Sequence, residues 1–191
     1  MYKPREDSLL LERHLNLAKG KVLEIGTGSG FLANSAAKNP DVSSVLAADV
    51  DEEAIEYCET YYQNRKLTFI VSDLFSNVDG KFDMSEINEI SEHAQKHPVF
   101  DTIIFNPPYL PQDRGIEDKA LYGGKKGHEV LGRFFGQVRD YMNPACRILI
   151  VFSSLTGKKK VDEMIKEHGF SFKELERKHI FFEDLYVYLI S

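Results

Sequence analysis

At 191 residues, with 42% hydrophobic and 28% charged side chains, the chain has the size and composition of one domain around one well-buried core. Its 24 basic and 30 acidic residues leave a net charge of −6, which argues against a stand-alone binder of long nucleic acid, whose affinity comes from paired Lys/Arg–phosphate contacts. Two isolated cysteines, Cys58 and Cys146, exclude a disulfide framework or a CxxC zinc pattern, and no apolar run reaches the ~18–20 residues of a membrane helix. The opening residues lack the apolar stretch of a secretory signal, so the expectation is a soluble, cytoplasmic protein with reduced thiols.

Residues 8–19 carry leucines near helical spacing, with Ser8 as N-cap and Gly20 as stop, and predict a helix whose leucine stripe is core. A short buried strand over residues 22–25 runs into Gly26-Thr27-Gly28-Ser29-Gly30, and residues 31–38 return to helical spacing. A second strand, 45–48, stops at Asp49; a helix over 52–63 is closed by Asn64; a third strand, 67–71, ends at Ser72-Asp73. The rhythm then breaks. Residues 84–99 read as a surface insertion between two Phe-Asp pairs, with weak amphipathic spacing over 85–97 that predicts a helix. A fourth strand, 101–105, delivers Asn106-Pro107-Pro108-Tyr109 at its end. Beyond a Pro/Gly-rich loop to about residue 127, helices are predicted over 128–141 and 158–168, and strands over 147–153, 172–178 and 185–190.

Strands alternating with helices at this spacing predict an α/β fold with a doubly wound, mostly parallel, seven-stranded sheet. The last two strands lack an intervening helix, so one of them is antiparallel. In such sheets ligands bind beyond the carboxyl ends of the strands. The glycine loop, Asp49, Asp73 and residues 106–109 all fall at such ends.

A glycine loop between a strand and a helix lets the backbone approach a ligand closely, but alone it is often an ordinary turn. Here Asp49 lies 21 residues past Gly28, the separation at which an acidic residue reaches a ribose diol. Two cofactors fit this layout, a nicotinamide dinucleotide and S-adenosylmethionine. In the dinucleotide loop the third glycine follows the second by three residues, whereas Gly30 follows Gly28 by two. Glu24, in an apolar strand beside the loop, suits a cationic ligand better than a pyrophosphate. Asp73 is placed to accept from an adenine amino group. These features favour S-adenosylmethionine.

Asn106-Pro107-Pro108-Tyr109 suits a planar NH2 group, which is a poor nucleophile because its lone pair is delocalised. Two acceptors on its two hydrogens, the Asn106 side-chain carbonyl and the Pro107 main-chain carbonyl, position the nitrogen and favour pyramidal geometry as a methyl group arrives. Proline stiffens the chain so that both acceptors are placed in advance. Tyr109 offers a face for stacking on the amide or base.

With these motifs the chain resembles the class I S-adenosylmethionine-dependent methyltransferases, and among them the HemK-type protein-glutamine methyltransferases. The nearest branch is similar to the eukaryotic and archaeal enzymes that modify the glutamine in the Gly-Gly-Gln loop of class 1 translation release factors. The resemblance is carried by Tyr2-x-Pro4-Arg5-Glu6-Asp7-Ser8, residues 23–30, Asp49, Ser72-Asp73-Leu74, residues 106–109, Tyr122-Gly123-Gly124-x-x-Gly127-x-Glu129-Val130 and Arg133-Phe134-Phe135. It implies a Rossmann-like fold and cofactor contacts at Ser8, Glu24, Gly26, Gly28, Asp49, Asp73 and Leu74. It also implies that Asn106 meets both cofactor and substrate, with Asn106, Pro107 and Tyr109 as the catalytic group. Relatives in this branch pair with a small zinc-binding activator through the third strand, so a partner is expected at residues 67–71. Ser8 stands where relatives often carry Thr, and the 84–99 insertion departs from the family pattern. Methylation of an exocyclic amine on a nucleic-acid base, a non-catalytic cofactor-binding subunit and lysine methylation remain alternatives.

Three weaker signals complete the reading. His93 and His97 share a helix face but lack a third ligand, so a solvated face outweighs a metal site. Lys158-Lys159-Lys160 reads as a helix start in water. Lys125 and Lys126 lie in the loop after the Asn-Pro-Pro-Tyr motif and divide evenly between a substrate-facing and a purely surface role.

Overall fold

The computed structural model describes residues 2–80, 97–110 and 123–191. All but residues 97–99 of the expected insertion, and most of the loop before residue 127, lie outside the described residues.

Seven strands form one sheet: β1 (Gly20–Ile25), β2 (Val42–Asp49), β3 (Leu67–Val71), β4 (Phe100–Phe105), β5 (Met142–Ser153), β6 (Phe172–Ile180) and β7 (Glu183–Ile190). Their order is β3-β2-β1-β4-β5-β7-β6. The first five pair in parallel, and β7 runs antiparallel to both β5 and β6, so it is the one reversed strand. β3 stands at one edge, as expected, and has a neighbour on one side only.

The helices are α1 (Glu6–Glu12), α2 (Phe31–Ala37), α3 (Glu52–Tyr61), α4 (Glu129–Gln137) and α5 (Lys158–Glu167). Strand alternation sorts them into two layers. Leu23, Ile25, Ile103 and Phe105 pack with Leu131 and Phe134 of α4 and with Val161 and Ile165 of α5. Val22, Ile104, Leu149 and Val151 face the other way, onto leucines of α1, alanines of α2 and Ile55 of α3. Each fully buried Leu, Ile or Phe contributes about 1.5–3 kcal/mol, so the central strands anchor everything attached to their ends.

Three of the boundaries that differ from the sequence expectation have a local cause. α1 begins at Glu6 with Arg5 at the N-cap, so Ser8 lies inside the helix; its hydroxyl serves the site described below. Beyond Glu12 the chain turns through a 3₁₀ segment, Leu15–Leu17, because the Asn39 amide takes the carbonyls of Leu15 (3.1 Å) and Ala18 (2.9 Å). Gly20 is therefore no helix stop: it opens β1, donating its N–H to the Asp41 carbonyl at 2.7 Å. β5 starts at Met142, five residues before the predicted strand, across a register shift against β4 that Asn143-Pro144 concealed.

Candidate active site

β1 and β4 lie side by side, and the chain leaves them in opposite directions, toward β2 and β3 on one flank and toward β5 on the other. Their carboxyl ends part to open a cavity of about 690 Å³. On its wall stand Gly26 and Gly28, Asp49, and Asp73 with Leu74. Asn106, Pro107 and Tyr109 complete the same wall, so eight of the ten candidate residues converge on one space.

The loop after β1 is held open by its glycines, whose φ angles are 69° at Gly26, 54° at Gly28 and 75° at Gly30. A side chain at Gly28 would also crowd Tyr2, since its Cβ would lie 3.1 Å from that residue, because the segment before α1 crosses over the loop. Asp49 braces the loop from β2. One carboxylate oxygen accepts the Gly28 N–H at 2.7 Å and the other accepts the Asp51 N–H at 2.9 Å. Asp73 is held by Arg133 at 2.7 Å; both side chains are about half exposed, so the pair fixes position and adds little stability. Leu74 follows with φ 52°, a left-handed conformation that non-glycine residues rarely adopt, and the Ser72 hydroxyl ties down its carbonyl at 2.9 Å.

Two expected cofactor residues lie off the wall. Glu24 is 1% exposed and sits beneath the loop, accepting from the Thr27 hydroxyl at 2.5 Å and from the Ala33 N–H. Period-two alternation explains the place: Glu24 shares a face with Val22, under the start of α2, and does not point out of the strand end. Ser8 is also buried and reaches the cavity only through Asn106.

Burial raises the Glu24 carboxyl from about 4.5 to about 8, with the Asp49 charge adding to the rise and the Thr27 hydroxyl opposing it. The neutral acid is thus the form the fold prefers. Its stabilising contribution is complete below about pH 4.5 and is lost as pH rises through about 8. Glu24→Gln, neutral throughout, is expected to melt higher than the parent at pH 9, by an amount that shrinks to near zero at pH 5. Thermal melts across that range check this, and a pH-independent difference would rule it out.

The most connected group was not among the sequence candidates. Asp7 is a carboxylate 2% exposed in α1. Its Oδ1 accepts from the main-chain N–H (2.6 Å) and the hydroxyl (3.2 Å) of Ser8, and its Oδ2 from the hydroxyls of Tyr2 (2.7 Å) and Tyr109 (3.4 Å). Burial and then the Asp7 charge hold both phenols well above their ordinary range, so each stays protonated and donates. Ser8 donates its hydroxyl hydrogen bond to Asp7 and accepts one from Asn106 Nδ2 at 3.2 Å. That orients the Asn106 amide and leaves its carbonyl oxygen, Oδ1, buried with no hydrogen-bond partner among the described residues. An unpaired buried acceptor costs about 1–3 kcal/mol, and here it sits on a residue of the cavity wall.

Two more wall residues were not site candidates: Arg133, read only as part of a family motif, and Glu183, which carried no local signal and accepts from the Ser153 hydroxyl. In all, six carboxylates (Asp7, Asp49, Asp51, Glu52, Asp73, Glu183) and two guanidinium groups (Arg5, Arg133) line the cavity. A pyrophosphate would meet that acidic wall unfavourably, while a cationic ligand is favoured. Among the described residues no group of three metal-ligating side chains converges; His93 lies outside them, and His97 pairs with Asp79 at 2.9 Å. Nor is any described helix long and apolar enough to cross a membrane.

Comparison with known proteins agrees with this geometry. A protein of Methanocaldococcus jannaschii, provisionally named a protein N5-glutamine methyltransferase, is 35% identical over 98% of this chain and 89% of its own length. The release factor glutamine methyltransferase of Streptococcus pneumoniae is 27% identical over 77% of this chain, which spans 50% of that longer protein. The solved E. cuniculi Mtq2–Trm112 complex, described as responsible for methylation of the eRF1 translation termination factor, superposes with a TM-score of 0.71 at 23% identity. It covers 99% of this chain and 96% of its own, and shows the shared fold. Residues 6–181, which take in every wall residue of the cavity except Tyr2, Arg5 and Glu183, match the family described as the methyltransferase small domain, and the chain belongs to that family.

Proposed function

We propose that this chain uses S-adenosylmethionine to methylate the side-chain amide nitrogen of a glutamine in the Gly-Gly-Gln loop of a class 1 translation release factor. The observation that carries the reading is the buried, unpartnered Oδ1 of Asn106 at the cavity wall. An amide NH2 brings two donors. Asn106 Oδ1 takes one and the Pro107 main-chain carbonyl the other, which fixes the nitrogen and orients its lone pair into the cavity. Asp7 acts through Ser8 as a positioning residue, since it sets the direction of the Asn106 amide. Tyr109 keeps its proton and presents an aromatic face to the flat amide.

The donor set fits the cofactor. Asp49 reaches a ribose diol with the second lone pairs of its oxygens, Asp73 and Leu74 meet the adenine, and Gly26 and Gly28 let the methionine portion lie against the backbone. Ser8 and Glu24 support that surface from beneath. When bound, S-adenosylmethionine supplies an electrophilic methyl group on a sulfonium centre, and the acidic wall favours its positive charge.

A partner reading accompanies this one: a small zinc-binding activator adds to the β3 edge. It is supported by the open edge itself, by the exposed Val71, and by the stacked Tyr57 and Tyr61 rings (5.3 Å) on the adjoining α3. A purified chain that is monomeric and fully active alone would exclude that partner.

The test is transfer of labelled methyl from S-adenosylmethionine to a purified release factor, beside a variant factor with alanine in place of the Gly-Gly-Gln glutamine and beside total RNA, with and without the activator. Label on the parent factor alone is the expected result. Label on RNA, falling steeply with added salt, would replace it with base methylation. Bound cofactor with no label on any sample would indicate a non-catalytic subunit.

A further inference from the structure

β6 and β7 are joined by a two-residue turn, Phe181-Phe182, and both rings stand in water, 87% and 97% exposed. Phe181 has φ 46°, at the first central position of a two-residue hairpin, where glycine, asparagine or aspartate is usual. A phenylalanine there is costly twice over, in backbone strain and in exposed apolar surface. The stem below it is braced: Asp184 accepts from Arg177 at 2.7 Å and pairs with His179 at 3.1 Å.

The turn also has a definite place. β7 begins where β5 ends, with Leu185 opposite Ser153, so the turn lies at the carboxyl-terminal edge of the sheet, on the side of the cavity. Glu183, the next residue, lines the cavity and bonds Ser153. The rim continues through Ser154, whose hydroxyl accepts the Asp184 N–H (3.0 Å), and exposed Leu155 to Thr156, whose hydroxyl donates to the Tyr109 carbonyl at 3.3 Å. A polypeptide that sends a side chain into the cavity and continues past Glu183 meets this side of it.

We propose that Phe181 and Phe182 form a docking tip for the polypeptide that flanks the target amide, packing against its apolar side chains while the amide occupies the cavity. This inference rests on the reading of the site as a protein-amide methyltransferase. The rings stand outside the space that holds the reacting groups, so they add affinity for a macromolecular substrate and none for the cofactor. The strain at Phe181 is then a stability cost retained for recognition.

The test compares the parent chain with a double variant, Phe181→Gly with Phe182→Ser, and with a conservative one, Phe181→Tyr with Phe182→Tyr, in the release-factor labelling reaction and in calorimetric titration with S-adenosylmethionine. The double variant is expected to raise KM for the factor at least tenfold, with kcat within twofold, cofactor affinity unchanged and a melting temperature equal to or above the parent's. The conservative variant is expected to keep the parent KM. A double variant with unchanged KM on a factor that the parent labels would overturn the docking tip alone. A parent that labels only RNA, with label lost in the double variant, would replace the polypeptide by a nucleic acid stacked on the rings. A parent that labels nothing overturns the underlying reading and the tip with it.

Discussion

Asn106→Ala is expected to lower kcat by at least about 10²–10³-fold while leaving cofactor affinity within a few-fold, because it deletes one of the two acceptors proposed to hold the amide. The magnitude follows from losses seen when a single preorganised polar group is removed from a catalytic site. The variant should fold well. In the parent, Oδ1 of Asn106 is buried without a partner among the described residues and its Nδ2 makes one 3.2 Å bond to Ser8, so truncation removes a destabilising group along with a weak bond. A melting temperature at or above the parent's, beside a collapsed single-turnover rate of labelled methyl transfer, is the combined result expected. Near-normal turnover would remove Asn106 from the mechanism.

Asp49→Ala is expected to act on the opposite end of the cavity. Hydrogen bonds to a charged group are worth about 1.5–3 kcal/mol, so losing the carboxylate weakens cofactor binding by about 10–150-fold. The loss has a second component, since the same two oxygens brace the N–H groups of Gly28 and Asp51. Asp49→Asn retains one acceptor for Gly28 and should fall between the two. Calorimetric titration measures both, and kcat at saturating cofactor should stay within a few-fold of the parent. Unaltered affinity in Asp49→Ala would take the ribose contact away from β2.

The two variants address groups of very different legibility. Asp49, Asp73 and residues 106–109 were readable because each follows a strand end directly, and a strand end in a doubly wound sheet has a known place relative to the ligand crevice. The single reversed strand followed from the missing helix between the last two strands, whereas the insertion of β7 between β5 and β6 was not legible. Asp7 was harder. It bonds Tyr109, 102 residues away, and no local pattern encodes such a contact. A trace was present, since Asp7 lies three and four residues before the buried Leu10 and Leu11 and so belongs on the core-facing side of its helix. The Arg133 contact to Asp73 spans 60 residues; Arg133-Phe134-Phe135 marked the family resemblance, but nothing in it pointed to Asp73. Glu24 was rightly separated from surface carboxylates, but its composition and neighbours did not say whether it pointed into the cavity or under the loop. Strand parity, applied to Val22, Glu24 and Ile25, would have decided it.

The sheet order has a bearing on assembly. β3 and β6 occupy its two edges, six strand steps apart, which at about 4.8 Å per step is roughly 29 Å. On the two proposals above, a partner added to β3 and a substrate seated over the β6–β7 turn would use opposite flanks of the same molecule. Neither guest would then need to displace the other. On the proposed readings, a small partner there would cover the apolar edge while the choice of substrate stays with the opposite flank.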